Sequence, residues 1–557
     1  MPVHFDEDAQ KRRSAEFRLQ EAERFAGLVA HNSGLHYVDL SLVSINPDAL
    51  GLVEETEARG AKLAVFREIG KKIDVAVFSP SFSGVSEILG KLKAQGYTPN
   101  IFVTTEESLK QAWKFYADIQ KIEQTKVGQI DISAESINKY ASRVKTLEDT
   151  KTLVGEILGN SGSGRISAAL EAVLAGAIAL DASDIHLEPE ERTVRVRFRL
   201  DGVLYEVANF EHHTYKLLLA RIKLLSSLKL NIASTRQDGR FSVQLGKFEV
   251  DIRSSIIPGS YGESAVMRIL NPESIKVSLE KLGMSKQVLE IMRLQIAKPN
   301  GMILNTGPTG SGKTTTLYTF LQEENSPELK IITIEDPIEY KIEGLVQTQV
   351  NTEKGYSFFE GLKSAMRQDP DLIMIGEIRD KETANTAIDA ALTGHLVFST
   401  LHTNNAAGAI PRLIDLGVNP KVIGPALNVA MAQRLVRLLC SKCKSESPIT
   451  GEEKAILKKH LSTLAEIGIL RDLPAKLPRS GACPACNNTG YKGRIGIFEI
   501  ILVDKNLEEI IATSPSENDV WKAARKQNVP NMAEDAILKV LENLTTIEEL
   551  KRVVDLS

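Results

Sequence analysis

The segment Gly307-Pro-Thr-Gly-Ser-Gly-Lys-Thr314, entered from the apolar run Gly301–Thr306, limits what this chain can fold into more than any other. It satisfies G-x-x-x-x-G-K-[ST] at every fixed position, and that pattern needs a strand before it and a helix after it. Small residues let successive backbone N–H groups turn inward around a phosphate, and the N-terminus of the next helix adds partial positive charge. Gly307, Pro308, Thr309, Gly310, Ser311, Gly312, Lys313, Thr314 and Thr315 are the expected phosphate cradle. Lys313 would reach the β/γ-phosphates, and the Thr314 hydroxyl would ligate Mg²⁺. A chain with this segment binds a nucleoside triphosphate.

At 557 residues the sequence exceeds what one core supports, so about three or four domains are expected. A net charge of -4 speaks against a generally nucleic-acid-coating surface. No apolar run approaches the ~20 residues that cross a bilayer, and the opening residues do not read as a signal peptide. The expectation is a cytoplasmic protein that meets membranes only through partners.

The four cysteines, Cys440, Cys443, Cys483 and Cys486, form two C-x-x-C pairs separated by 39 residues. Four thiolates converging on Zn²⁺ would close a structural site, with no open position for catalysis. A redox dithiol is the alternative, without a thioredoxin-like context to support it.

Along the chain, residues 1–30 read as a charged helical arm. Residues 31–120 read as a small α/β domain, with short strands at Tyr37–Ile45, Ala61–Phe66, Ile73–Phe78 and Asn100–Val103 and helices between or after them. Residues 121–160 are polar and read as a linker with at most one helix. Residues 161–275 form a second domain, in which Arg192–Arg199 alternates strictly before an Asp201-Gly202 turn. The alternating arginines are expected to line a solvated strand face. Residues 276–505 alternate strand and helix, which argues for a mainly parallel sheet, and 438–492 form the cysteine-bearing insert. Residues 506–557 are helical.

Hydrolysis requires a metal, a positioned water and compensation for phosphoryl charge. The strand Ile331–Ile334 delivers Glu335-Asp336-Pro337 at its C-terminal end, where ligands bind in open α/β sheets. Leu372–Ile375, then Gly376-Glu377, reads as a Walker B strand whose acid is a Glu set past a Gly. His395 and His402 bracket the strand Leu396–Leu401, and each is as open to a structural role as to a catalytic one.

Taken together, these segments resemble the secretion ATPase superfamily of type II secretion and type IV pilus assembly. The resemblance rests on the phosphate loop, Thr333-Ile-Glu-Asp-Pro-Ile-Glu-Tyr340, Arg367–Asp380, Thr393–Asn404 and Ala182-Ser-Asp-Ile-His-Leu-Glu188. The tetracysteine region marks its assembly branch. The likeness implies a RecA-like ATPase core, preceded by an α+β, PAS-like domain and a small α/β N-terminal domain. It implies ATP, Mg²⁺ and Zn²⁺ as ligands. It assigns Glu377 to the metal, Glu335 to polarising the attacking water, and His395 and His402 to the γ-phosphate. Arg240, Arg253 and Arg268 are the arginines expected to close over the nucleotide. A homo-hexamer is implied, with an inner-membrane platform protein and docking proteins as partners and no nucleic acid. The Arg-Leu-Gly-type repeats that bind cyclic di-GMP in some relatives are not evident. A nucleic-acid-translocating ring and a non-hydrolysing scaffold are the competing readings, and pilus extension is not separable from type II secretion.

Overall fold

The computed structural model describes residues 21–40, 43, 45, 47–69, 71–116, 134–159, 164–245, 248–271 and 277–556. They form two compact units, divided between Asp131 and Ile132.

In the first unit a four-stranded sheet has the order β1 (His36–Tyr37), β4 (Thr98–Val103), β3 (Lys72–Val77), β2 (Leu63–Ile69). Val65, Val75, Ile88, Leu92 and Trp113 bury into one core with it, so the expected small α/β domain is present. Of the strand expected over Tyr37–Ile45, only Tyr37 is in a strand among the described residues, and residues 41, 42 and 44 lie outside them. Beyond Tyr37 the backbone turns to Ser108, whose Oγ accepts from Leu40 N at 3.3 Å and donates to Asp39 Oδ1 at 2.9 Å. Backbone groups satisfied by a side chain no longer extend a ladder. Residues 21–32 are helical, and the first twenty of the expected arm lie outside the described residues.

The second unit begins with a departure from expectation. The polar stretch read as a linker contains two helices, Ala134–Arg143 and Leu147–Gly159. Ile137 of the first and Leu153 and Val154 of the second bury into the same core as Leu170 and Val173. Low overall hydrophobicity hid a narrow apolar face. Thr150 packs on Gly176, where a Cβ would come within 2.5 Å of Thr150 Cγ2.

Next comes an antiparallel sheet of β5 (Asp184–Pro189), β6 (Val194–Leu200), β7 (Val203–Phe210), β8 (Gln237–Leu245), β9 (Phe248–Gly259) and β10 (Gly262–Leu270), in the order β7-β6-β5-β10-β9-β8. Helices Arg165–Ala179 and His212–Leu225 supply the core on one face. Asp201 (φ 49°) and Gly202 (φ 84°) are both left-handed, as the tight β6–β7 turn requires.

A seven-stranded sheet then follows, built from β11 (Gly301–Thr306), β12 (Ile331–Glu335), β13 (Val346–Gln349), β14 (Leu372–Ile375), β15 (Leu396–Leu401), β16 (Leu427–Leu439) and β19 (Tyr491–Leu502). Its order is β13-β12-β14-β15-β11-β16-β19, parallel except for the last pair. β11, β12, β14 and β15 are buried along their whole length, as parallel strands covered on both faces must be. Successive residues feed opposite cores: Met302, Ile332 and Ile373 one, Ile303, Ile331 and Met374 the other. This is the expected RecA-like α/β core, with the α+β domain before it. A two-stranded ribbon, β17 (Ser445–Pro448) with β18 (Lys476–Arg479), belongs to the cysteine-bearing insert.

Candidate active site and metal centre

β11 ends where the phosphate loop begins, and the helix Lys313–Glu324 follows directly. At Gly307 and Gly312 the loop has no room for a side chain. A Cβ on Gly307 would lie 2.6 Å from Gln433 O, and one on Gly312 (φ +90°) 2.8 Å from Gln433 Nε2. Lys313 Nζ folds back onto Gly307 O (2.8 Å) and Pro308 O (3.1 Å). Burial lowers its pKa, against the opposing pull of Glu377. Ser311 Oγ is buried with no partner among the described residues. A glycine-rich loop with one half-buried cation and an unpartnered buried hydroxyl fits a polyphosphate.

The loop forms one wall of a cavity of 1050 Å³, room enough for a nucleotide. Pro308 through Thr315, Glu335, Glu377, His402 and Arg434 line it from the sheet with the phosphate loop. Asp184, Arg199, Asp201, Gly202 and Arg268 line it from the antiparallel sheet.

Glu335 is the last residue of β12 and is 3% exposed. Tyr318 donates to its Oε2, Thr333 Oγ1 (2.5 Å) and Gln347 Nε2 (3.2 Å) to its Oε1. Burial raises its pKa, and these donors hold the rise back. Glu377 follows β14, flanked by Arg379 Nη2 at 2.5 Å and His402 Nε2 at 3.3 Å. It faces the same cavity as Thr314, so a hydroxyl and a carboxylate are available to a hard cation.

The two histidines separate. His402 follows the C-terminal end of β15 and lines the cavity. His395 precedes β15, and its Nδ1 lies 3.1 Å from Ala390 O at the end of a helix. A six-residue strand at ~3.3 Å per residue puts the two at opposite edges of the sheet. His395 is therefore not at this cavity, contrary to the expectation of a γ-phosphate contact.

The three expected arginines fall in register across neighbouring strands, Arg240 opposite Arg253 and Arg253 opposite Arg268. Only Arg268 lines the cavity. Arg253 ties the antiparallel sheet to the loop after β12, through Glu339 Oε2 (3.1 Å) and Ile338 O (2.5 Å). Arg240 is exposed on the edge strand β8. The alternating arginines of β6 are half-buried rather than solvated: Arg195 pairs with Glu190, Arg197 with Glu188, and Arg199 with Asp184. Sequence reasoning missed Arg199, Arg434 and Arg494 as cavity residues, because only the fold brings them to the loop.

Residues 160–552 match the family described as type II/IV secretion system protein. The chain is 44% identical over 384 residues to the type II secretion system protein E of Aeromonas hydrophila, spanning 69% of this chain and 74% of that one. It is 34% identical over 534 residues to the type IV pilus assembly ATPase PilB of Myxococcus xanthus, spanning 95% and 91%. The chain belongs to the type II/IV secretion system protein family. It is an ATPase. The ATPase DotB of Legionella pneumophila, with a TM-score of 0.50 over 69% of this chain and 94% of that one at 22% identity, shares the fold.

In this secretion ATPase the four cysteines converge, with all Sγ atoms within 4.8 Å of one another. Cys440–Cys483, Cys443–Cys486 and Cys483–Cys486 stand 3.7–3.8 Å apart, near the ~3.8 Å edge of a tetrahedron with 2.3 Å zinc–sulfur bonds. The donor set and spacing fit Zn²⁺. Asn487, left-handed at φ 52°, extends from the second knuckle and accepts from Leu147 N at 2.8 Å. Between the knuckles, helix Gly451–Glu466 opens on a Thr450–Glu453 capping box. Arg479 clasps Glu453 there through both Nη atoms, which pulls the carboxyl down to about 2.

Among the described residues no helix is long and apolar enough to cross a membrane.

Proposed function

We propose that this chain is a Mg²⁺-dependent ATPase motor that powers assembly of a type IV pilus or a type II secretion pseudopilus. It would work as a homo-hexamer at the inner face of the cytoplasmic membrane, acting through a membrane platform protein. The observation that carries this is the cavity walled by the phosphate loop on one side and by Arg268 of a separate domain on the other. A site completed by two domains converts occupancy into relative movement of those domains. The relatives' names supply the machine: a type II secretion ATPase and a pilus assembly ATPase.

The residues divide the work. Lys313 leaves the loop carbonyls for the β/γ-phosphates. Glu335, held by three donors, polarises the attacking water and receives its proton. Thr314 and Glu377 hold magnesium, which when bound neutralises charge on the transferring phosphoryl group. Arg268 compensates charge from the opposite wall, where a guanidinium makes bidentate contacts and stays protonated. The tetracysteine site, closed by four thiolates, has a structural role.

The test is phosphate release with Mg²⁺-ATP on size-fractionated protein, for wild type beside Glu377→Gln. Turnover in a hexamer-sized fraction, abolished by the substitution, supports the motor. Full activity of Glu377→Gln would overturn the role given to that carboxylate.

A further inference from the structure

The register of the antiparallel sheet lines up five side chains, one per strand. Arg240 on β8 stands opposite Arg253 on β9, then Arg268 on β10, Asp184 on β5 and Arg199 on β6. Directly opposite residues share a sheet face, so this row is a stripe of four guanidiniums with one carboxylate. The carboxylate lies between the two arginines that reach the cavity. Asp184 is 6% exposed and sits between them: Oδ1 accepts from Arg268 Nε at 3.1 Å, Oδ2 accepts from Ser183 Oγ at 2.9 Å, and Arg199 Nε is an ion-pair contact 3.3 Å from Oδ2.

We propose that Arg199 binds the phosphate chain of the nucleotide, and that Asp184 is the positioning residue that sets Arg199 and Arg268 as a two-pronged clamp opposite Lys313. This rests on the cavity being the nucleotide site. One carboxylate between two guanidiniums leaves this row one positive charge in excess facing the phosphate loop, while Asp201 on the same wall pairs with Arg494 at 3.7 Å. Both arginines turn their Nε edge to the Asp184 carboxylate, which leaves the terminal amino groups for a second anion. The terminal contacts of Arg199 are long, Nη1 to Gly202 O at 3.3 Å and Nη2 to His186 Nε2 at 3.4 Å. Such contacts yield to a charge-assisted bond with a phosphate oxygen. Its side chain remains 34% exposed, so it meets solvent across the cavity. Were the row only structural, each arginine would be matched by an acid, as Arg195 and Arg197 are farther along β6.

The experiment is equilibrium binding of a fluorescent, non-hydrolysable ATP analogue to the full chain, with melting temperature and oligomer size recorded for every variant. Arg199→Ala is expected to weaken binding about 10- to 100-fold, the range for hydrogen bonds to charged groups. Arg199→Lys should recover only part of this, because an ammonium lacks the Nε edge that Asp184 holds. Asp184→Asn should weaken binding less than Arg199→Ala does. Should Arg199→Ala fail to fold, Arg199→Gln decides, since it loses the charge with little loss of volume. Binding within twofold of wild type in a folded Arg199 variant overturns the clamp. Lys313→Ala, run alongside, separates the two readings. If it binds normally the nucleotide site itself is misplaced; if it loses binding while the Arg199 variants keep theirs, only the clamp falls.

Discussion

The nucleotide cavity and the tetracysteine cluster are both built from residues far apart in sequence, but they treat their ligands in opposite ways. The cluster places four thiols within 4.8 Å and leaves no position over. The cavity keeps Lys313 on loop carbonyls and Glu377 between Arg379 and His402, contacts that a ligand must displace. A closed site contributes stability, and an open one keeps exchangeable contacts for chemistry.

The comparison breaks first at Lys313. Lys313→Ala should cost turnover on the order of 10²–10³-fold, as removal of a transition-state donor does, and leave zinc content unchanged. A phosphate-release assay paired with elemental analysis reads both; zinc loss in this variant would mean that the sites are not independent.

The reciprocal change is Cys483→Ser. Structural zinc contributes folding free energy directly, so the variant should lose its metal and its melting temperature should fall, each degree standing for about 1 kcal/mol at this chain length. Melting unchanged in zinc-free protein would remove the structural role.

Tyr318→Phe sharpens the contrast from the open side. The phenol stabilises the charged form of Glu335, so its loss should raise that carboxyl further. The acid limb of the pH–rate profile should then move to higher pH with the zinc site untouched. An unmoved limb would mean that Glu335 does not carry the rate-determining ionisation.

The smallest effect belongs to Glu453, in the insert that carries the closed site. Its folded carboxyl sits at about 2, below the ordinary value near 4.5. The stability that it contributes is therefore present above pH ~4.5 and lost as pH falls towards 2. Glu453→Gln should flatten that part of a stability-versus-pH curve measured by denaturant titration.

Much of the candidate site was legible because its parts are local. A phosphate loop is eight consecutive residues, and Glu335 and Glu377 each follow a buried apolar strand that announces itself. His395 shows where such reading misleads. Seen as a sequence it flanks the same strand as His402, yet a strand that crosses the sheet puts its two flanks on opposite sides. The row from Arg240 to Arg199 was only partly visible, since register is set by pairing between strands and not by spacing along one. The helices within 134–159 were missed for a different reason. Their buried residues are too few to raise the local hydrophobicity, and only packing against Leu170 and Val173 reveals them.

The Asp201-Gly202 turn walls the cavity and also accepts from Gly493 N of β19, through Asp201 Oδ2 at 2.8 Å. Nucleotide bound in that cavity would therefore be mortar between two domains rather than cargo of one. By mass action, each tenfold of free nucleotide above its dissociation constant adds ~1.4 kcal/mol to the joined state over its separated parts.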